Sequence, residues 1–458
     1  MTRMPYTKRQ EISGRRSRPR TSGTRVLIAL LAVLVVFACS ESTGGLLNVV
    51  NPNAVAVTLW QKPAHATLMV NSVIGDFECA FGGFVTAEGM ASDELKDASF
   101  VDLDWNTNRR DNDFVSGLYG TAGCTSALGL YTPLSTAREE GDSALIRLAK
   151  FTVAEVPKRN TLLAEANLYT GFSYAALGMS MCQAAFDLGP LVDQKGMFAL
   201  AESRMDSAIS YGQVAGLTNV VNAAYGVRAR MRLYQHNLAG AIADAQLVPS
   251  GFVFNAAMDA TNPRRYNHVF QAISTSGSQT VDSFSVALKT ENGELDPRSA
   301  VITLATAPAD GRSTIFIPAK YNAATLTAGE AIPMPIVRYA EAQLVLAEAQ
   351  GGAQAVTIIN TMRAAVGLQP YTGATDAASI TNLIASERQR VLFLEGFRGF
   401  DIERLNQALV PPVGYPYFQG GTYGATVCLP VPLIETLNNP NIDASKLISG
   451  VQGEFPIP

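Results

Sequence analysis

The residues that could carry out acid–base chemistry cluster near the carboxyl end of the chain. They are Glu387, Arg388, Glu395, Arg398, Asp401 and Arg404. Two carboxyl groups held close together can act as a general acid and a general base. Each acid here has a basic neighbour, however, and no histidine or nucleophile stands nearby. The pattern therefore favours a partly buried ion network that fixes how a helix docks.

Three helices are predicted to position these charges. Apolar and small residues recur with a helical period within residues 336–350, 355–366 and 380–394. In the stretch that follows, residues 395, 398, 401 and 404 alternate in charge and are spaced by three. Oppositely charged neighbours would share one face if the helix continues. Gly396 and Gly399 interrupt this stretch and are expected to bend it.

The segment from Ile336 to Leu405 resembles the C-terminal signature of the SusD/RagB family. The matching residues are Arg338-Tyr339-Ala340-Glu341, Ala347-Glu348-Ala349, Met362-Arg363, Val366-Gly367-Leu368, Glu387-Arg388, Glu395-Gly396, Arg398, Asp401 and Arg404. Val391 departs from the pattern, because an acidic residue is common there. Looser resemblances lie in Ser92-Asp93-Glu94 and in Asp296-Pro297-Arg298, an Asp–Arg pair expected to be a structural clasp.

The resemblance implies a mainly α, SusD-like fold. About four degenerate tetratricopeptide-type helix pairs are expected to form a scaffold, with an inserted loop-rich part that contains short β-strands. Small residues such as Gly171 should let paired helices approach closely. Short strands or extended loops are expected at 269–273, 283–287 and 314–317.

Composition excludes several classes of protein. The 458 residues are 47% apolar and 16% charged, which argues against a disordered chain. The net charge of −4 and the lack of a basic stripe argue against nucleic-acid binding. The five cysteines are too widely spaced for a metal site, and no cofactor motif is present.

The first residues predict export and lipidation. A basic stretch leads into an apolar run from Val26 to Ala38, which has the length expected for the apolar region of a signal peptide. Val36-Phe37-Ala38-Cys39 resembles a bacterial lipobox with an atypical Phe37, so Cys39 is the expected lipidation site; ordinary cleavage nearby is the alternative. The remaining four cysteines form one or two disulfides, with Cys79–Cys124 preferred, or are buried thiols.

The predicted organisation has three parts. Residues 1–38 are a lipoprotein signal peptide, 39–50 a lipidated tether, and 51–458 a single SusD-like domain. Within that domain, residues 60–248 and 336–405 form the helical scaffold, 249–335 the irregular insert and 406–458 a C-terminal loop region.

Ligand-binding residues are expected in the loops. The candidates are Trp105, Asn106, Arg109, Tyr266 and Tyr321. An exposed Trp105 would suit stacking on a sugar ring or an apolar side chain, although it could instead pin its loop to the helices. The aromatic loop at 415–423 is expected to cover the scaffold or to contact a transporter; cation–π contact or stacking on a ligand is the alternative.

The resemblance implies a non-catalytic, lipid-anchored protein on the outer membrane, facing the cell exterior. It would capture a nutrient, an oligosaccharide or else a peptide as RagB-type proteins do, and deliver it to a SusC-like TonB-dependent transporter. A secreted glycoside hydrolase and a repeat-based assembly adaptor are the alternatives, since glycosidase carboxylates leave no short motif.

Overall fold

Paired α-helices form the scaffold, as the helical periodicity of the sequence predicts. The computed structural model describes residues 60–100, 105–112, 118–126 and 129–453. The described residues from Gln61 onward belong to one compact unit. The predicted signal peptide and tether, including Cys39, lie outside the described residues.

The described part of the chain contains fifteen α-helices. They are α1 (Ala66–Ala91), α2 (Trp105–Asn108), α3 (Leu118–Thr121), α4 (Tyr131–Lys150), α5 (Arg159–Ser180), α6 (Gln194–Ala215), α7 (Thr218–Tyr234), α8 (Leu238–Ala245), α9 (His268–Phe270), α10 (Leu326–Glu330), α11 (Tyr339–Gln350), α12 (Gly352–Ala364), α13 (Ala377–Val391), α14 (Arg398–Arg404) and α15 (Leu433–Asn438).

Four helix pairs form the predicted scaffold: α1 with α4, α5 with α6, α7 with α8, and α11 with α12. The close approach of α5 and α6 depends on Gly171, because a β-carbon there would lie 2.2 Å from Cε of Met205. The mainly α scaffold of about four helix pairs is therefore confirmed.

The strands are short and pair only in twos. They are β1 (Leu95–Asp97), β2 (Gln183–Ala185), β3 (Leu191–Asp193), β4 (Val253–Ala256), β5 (Gln279–Val281), β6 (Val301–Thr303), β7 (Phe316–Pro318) and β8 (Met334–Arg338). The antiparallel pairs are β1–β5, β2–β3, β4–β8 and β6–β7. Strand β1 thus joins the first helical pair to the insert.

Two of the predicted extended segments are wrong. Residues 269–273 are helical, because Asn267 accepts a hydrogen bond from the Phe270 amide and caps α9, which continues into a π-helical turn, Gln271–Thr275. Residues 283–287 form turns, and Asp282 accepts a hydrogen bond from the Phe284 amide there. Capping by Asn and Asp side chains outweighs the β-propensity of these short apolar runs.

The charged helix is not continuous. Helix α13 ends at Val391, and α14 begins at Arg398. Leu394 and Gly396 both have positive φ angles, 50° and 81°. A β-carbon at Gly396 would also lie 2.3 Å from the Phe84 ring, so only glycine fits this turn.

Two disulfides cross-link the described chain. Cys79 on α1 is bonded to Cys124, and Cys182 is bonded to Cys428. The first is the preferred pairing, and the second ties the end of α5 to the C-terminal loop region.

Helix α1 is the core helix of the fold. The stretch Pro63–Ala91 is long and apolar enough to cross a membrane by length and composition, but 67% of its most apolar window is buried inside the protein. Its buried residues include Phe77, Phe81 and Phe84, and its Phe77 ring contacts Tyr169 and Phe172 on α5.

Candidate functional site

Glu387 on α13 is fully buried at the centre of an ion network. Its Oε1 accepts hydrogen bonds from Nε of Arg363 (2.8 Å) and Nη2 of Arg390 (2.7 Å), and its Oε2 accepts one from Nη2 of Arg298 (2.8 Å). Arg298 also pairs with Asp296, as expected of a structural clasp. Both oxygens of Glu387 are bound by guanidinium groups, so this carboxylate is structural.

Asp401 on α14 is held in the same way. Its Oδ2 accepts from Nε of Arg388 at 2.7 Å, and its Oδ1 accepts from Nε of Arg404 at 2.9 Å. Burial acts to raise the pKa of Asp401, but the two guanidinium groups outweigh it and lower that pKa. Asp401 therefore stays ionised and docks α14 against α13.

The remaining charges pair with distant segments rather than with each other. Glu395 accepts from Nζ of Lys320 (2.6 Å) and from Nε of Arg338 (2.9 Å). Arg398 donates to both oxygens of Asp93, at 2.6 and 2.7 Å. Glu395 and Arg398 do not pair along one helical face, because the turn between α13 and α14 separates them. Arg398 and Asp401 share α14 but bind different partners, and the expected Asp401–Arg404 pair does form.

A surface pocket of about 270 Å³ lies where three loops meet. Its lining residues are Phe100, Asp310, Arg312, Phe418 and Gln419. Phe100 follows β1, and Phe418 stands in a loop closed by a bridge between Pro416 and Thr422. Phe100 is 60% exposed and Phe418 is 45% exposed. Exposed rings in a concave site offer surfaces on which the apolar face of a ligand ring can pack.

Two other hollows among the described residues are less suited to a ring-shaped ligand. One, of about 430 Å³, is lined by Gln61, Ser143, Ile146, Arg147, Lys150 and Phe151. The other, of about 230 Å³, lies beside Tyr234 and Phe400, whose rings are buried. Neither hollow presents a largely exposed aromatic ring, so the pocket beside Phe100 is the candidate site.

Polar contacts hold the Phe418 loop against the segment that carries Phe100. The Gln419 amide donates to Oδ2 of Asp97 (3.2 Å) and to the Ser99 carbonyl (2.6 Å). Asp97 is fully buried, and its Oδ1 accepts from the backbone N–H and the hydroxyl of Ser99. The Tyr417 hydroxyl donates to Oδ1 of Asn108 at 3.0 Å. The positions of the two exposed rings are thus set by buried groups.

Asp310 shapes the other side of the pocket. It is 3% exposed, and its oxygens accept hydrogen bonds from the amides of Arg312 and Ser313 (both 2.9 Å) and from the Ser313 hydroxyl (2.7 Å). Burial acts to raise the pKa of Asp310, but these bonds outweigh it and lower that pKa. Asp310 is an ionised residue that forms the turn and presents Arg312.

Three predicted ligand residues lie on α2 or just after it. The side chain of Trp105 is outside the described part of the structure, so its contact with a ligand stays a prediction. Oδ1 of Asn106 accepts a hydrogen bond from Nη2 of Arg109 at 2.6 Å. The Arg109 guanidinium lies 5.9 Å from the Tyr417 ring centre. Asn106 and Arg109 thus support the aromatic loop, but neither lines the pocket.

The two tyrosine candidates are placed elsewhere. Tyr321 is 1% exposed, and its hydroxyl donates to the Leu394 carbonyl at 3.0 Å. Its assignment as a ligand residue is wrong, because the ring is enclosed in the core. Tyr266 is half-buried and follows the short helix Pro263–Arg265, whose arginines pair with Asp76 and Glu78 on α1; it does not line the pocket.

Sequence inspection misses most of the pocket. Phe418 belongs to the aromatic loop, the one visible signal, but this loop was expected to cover the scaffold. Phe100, Asp310 and Arg312 show no periodicity or motif that distinguishes them from other loop residues. They come together only through the β1–β5 pair and the hydrogen bond from the Asp310 amide to the Ala98 carbonyl.

Comparison with known proteins gives a consistent result. Residues 254–427 match the model of the SusD family. A SusD superfamily protein from Parabacteroides distasonis is 15% identical, with a TM-score of 0.64 over 83% of this chain and 98% of that one. A SusD-like carbohydrate binding protein from Bacteroides vulgatus is 16% identical, with a TM-score of 0.63 over 83% and 97% of the two chains.

A laminarin-binding SusD-like protein shares the fold with a TM-score of 0.54 and 16% identity, over 83% of this chain and 98% of that one. No curated protein sequence matches the chain. At these identities the likeness to solved structures establishes the fold, and the signature between Arg338 and Arg404 lies within the residues matched by the family model. By that match, residues 254–427 carry the SusD/RagB family signature, and the described chain has the fold of SusD superfamily proteins.

Proposed function

We propose that the protein captures a glycan at the pocket between Phe100 and Phe418 and makes or breaks no bond in it. The observation that carries this proposal is the pair of exposed rings held in place by buried polar contacts beside Arg312 and Gln419. Rings supply stacking surface, while guanidinium and amide groups supply hydrogen bonds to hydroxyls. Two of the fold relatives are named for binding carbohydrate and laminarin.

The proposed cellular role follows from the family and from the first forty residues. The protein would be lipidated at Cys39, lie on the outer-membrane surface and deliver its glycan to a SusC-like TonB-dependent transporter. Two or more acyl chains on Cys39 would anchor the protein stably. Affinity purification of the full chain from detergent-solubilised outer membranes tests this role. A barrel transporter should co-purify with the wild type, and recovery of the protein without any barrel would contradict delivery.

The binding proposal predicts that Phe100→Ala and Phe418→Ala each weaken glycan binding by about 1–3 kcal/mol, since each removes a stacking surface. Isothermal titration of the full chain in detergent against a glycan panel that includes laminarin would measure this loss. Tyr415→Ala is the matched control, because Tyr415 is 51% exposed in the same loop but does not line the pocket. Peptide binding without glycan binding, or release of reducing sugar, would refute the proposal.

Trp105 adds a separate prediction at the edge of the same loop system. If its indole stacks on the ligand, Trp105→Ala should weaken binding by roughly 1–3 kcal/mol, a loss of hot-spot size. The same titration measures it, alongside a thermal melt to show that folding is retained. Unchanged affinity in a folded variant would exclude Trp105 from the site.

A further inference from the structure

A cationic side chain lies close to each of the two exposed rings of the pocket. The Arg312 guanidinium carbon lies 5.7 Å from the centre of the Phe100 ring, and Nζ of Lys96 lies 4.3 Å from the centre of the Phe418 ring. Arg312 is exposed and lines the pocket, whereas Lys96 is half-buried behind the Phe418 wall. Within the described residues, neither cation has a carboxylate oxygen inside 4 Å. In that part of the chain neither cation is in direct contact with a carboxylate, although the charge of Lys96 helps to lower the pKa of Asp310.

The carboxylates close to the pocket are turned inward and already hydrogen-bonded. Asp310 accepts three bonds from its own turn, and Asp97 accepts from Ser99 and Gln419. Asp97 and Asp310 are 0% and 3% exposed. Asp310 is ionised but buried, so the exposed charged group among the described lining residues is the Arg312 guanidinium. A guanidinium binds carboxylate or sulfate oxygens through a fork of two parallel hydrogen bonds.

We infer that this pocket selects an acidic saccharide, with the anionic group of the sugar on Arg312 and the sugar ring against Phe100 and Phe418. The inference rests on the proposed glycan-binding function and adds the chemical class of the ligand. Lys96 strengthens the selection by its positive charge. Its Nζ lies 4.3 Å from the centre of the Phe418 ring, a distance shorter than the Debye length of about 10 Å. The volume of about 270 Å³ is near the lower end of ligand pockets, roughly 300 Å³, and suits a short segment of a chain.

Matched pairs of glycans test the anionic selection directly. The full chain in detergent is titrated with oligogalacturonate and its methyl ester, and with chondroitin sulfate and unsulfated chondroitin. The first pair differs only in a free carboxylate, and the second isolates the sulfate. We expect the more acidic member of at least one pair to bind about tenfold more tightly, as expected for a charge-assisted hydrogen bond. Raising the salt from about 0.1 M to about 1 M should remove most of this preference.

Substitutions at Arg312 assign the preference to the pocket. Arg312→Gln should remove the tenfold preference, whereas Arg312→Lys should keep part of it, because it retains the charge but loses the fork. Lys195→Gln is the control, since it removes one positive charge from an exposed site at the start of α6. A thermal melt of each variant shows that folding is unchanged.

The outcomes separate this inference from the proposed function. Equal or tighter binding of the less acidic member of both pairs, abolished by Phe100→Ala, would overturn the acidic selection and leave the glycan proposal standing. An acidic preference that survives Arg312→Gln would also overturn it, because the preference would arise elsewhere on the protein. Binding of neither member of either pair, nor of laminarin, would overturn both.

Discussion

Replacing Glu387 by glutamine is expected to destabilise the protein by about 3–5 kcal/mol, the cost of leaving buried charge without its partner. The Glu387 carboxylate is the shared acceptor for Arg298, Arg363 and Arg390. Glutamine has nearly the same volume, so the loss would come from charge and hydrogen bonding rather than from a cavity. Arg363 would suffer most, because it is fully buried and its other carboxylate partner, Glu291, is 37% exposed.

Urea unfolding at neutral pH measures this change in the free energy of unfolding. Glu139→Gln is the matched control, because Glu139 is an exposed helical glutamate that accepts a hydrogen bond only from the nearby Ser143 hydroxyl. We expect the control to change stability by less than about 0.5 kcal/mol. A similarly small change for Glu387→Gln would show that water or side-chain rearrangement compensates the three arginines, against the contacts described above.

Stability is also expected to fall as the pH rises from about 5 to about 8. The cause is a group of buried glutamates around the end of α1. Burial raises the pKa of Glu94 to about 8 and that of Glu403 to about 7, and it raises the pKa of Glu88 well above its usual range. Oε2 of Glu94 is buried and has no hydrogen-bond partner among the described residues, which fits a carboxyl group that keeps its proton.

The sign of the effect follows from proton counting. Below the usual glutamate pKa of about 4.3, both folded and unfolded chains hold the proton, so Glu94 contributes no pH dependence. Between that value and about 8, only the folded chain holds it, and unfolding releases a proton. Stability therefore falls with rising pH through this window by about 1.4 kcal/mol per pH unit for each such group. For Glu94 alone the total over this window is on the order of 5 kcal/mol.

At acidic pH, stability is expected to change with pH in the opposite direction. Asp401 and Glu395 have lowered pKa values in the folded chain, because the guanidinium and ammonium groups around them outweigh burial. These two groups stabilise the fold at pH values above the usual carboxyl pKa. This stabilisation is lost as the pH falls through their lowered pKa values. The maximum stability should consequently lie near about pH 5.

Urea unfolding of the full chain at about pH 5 and about pH 8 tests the alkaline loss. Glu94→Gln mimics the protonated carboxyl. The variant should be at least as stable as the wild type at both pH values, and the difference in its free energy of unfolding between the two pH values should be much smaller. Glu139→Gln should leave the difference unchanged, since its side chain is exposed. A wild-type protein equally stable at both values would mean that Glu94 is ionised in the fold.

The helices show what the sequence predicts well. Their apolar residues recur within one or two turns, so the period can be recognised without knowing the fold. The helix predicted within residues 380–394 runs from Ala377 to Val391. The helix predicted within residues 336–350 begins only at Tyr339, because the residues before it pair with β4 as strand β8. The sequence thus predicts that these segments are helices, but it predicts less well the residues at which each helix begins and ends.

The ion network was predictable in composition but not in pairing. Charged residues in an apolar helical segment indicate buried ion pairs, since a buried charge needs a partner. The partners, however, lie far away in the chain: Asp93 binds Arg398 across 305 residues, and Arg230 binds Glu341 across 111. Spacing along one helix could not reveal these contacts, because the break at Leu394 and Gly396 turns the charges toward different segments.

By itself, the sequence determined the resemblance to the SusD/RagB signature, the helical scaffold and the presence of a structural charge network, since these depend on residue types and on spacing within a few turns. Only the tertiary structure decided which charges pair, that Tyr321 is a core residue, and where a ligand can bind. Phe100 and Phe418 are separated by most of the chain and meet through contacts of Asp97, Ser99 and Gln419. Such a meeting depends on how distant loops pack together, which no local pattern encodes.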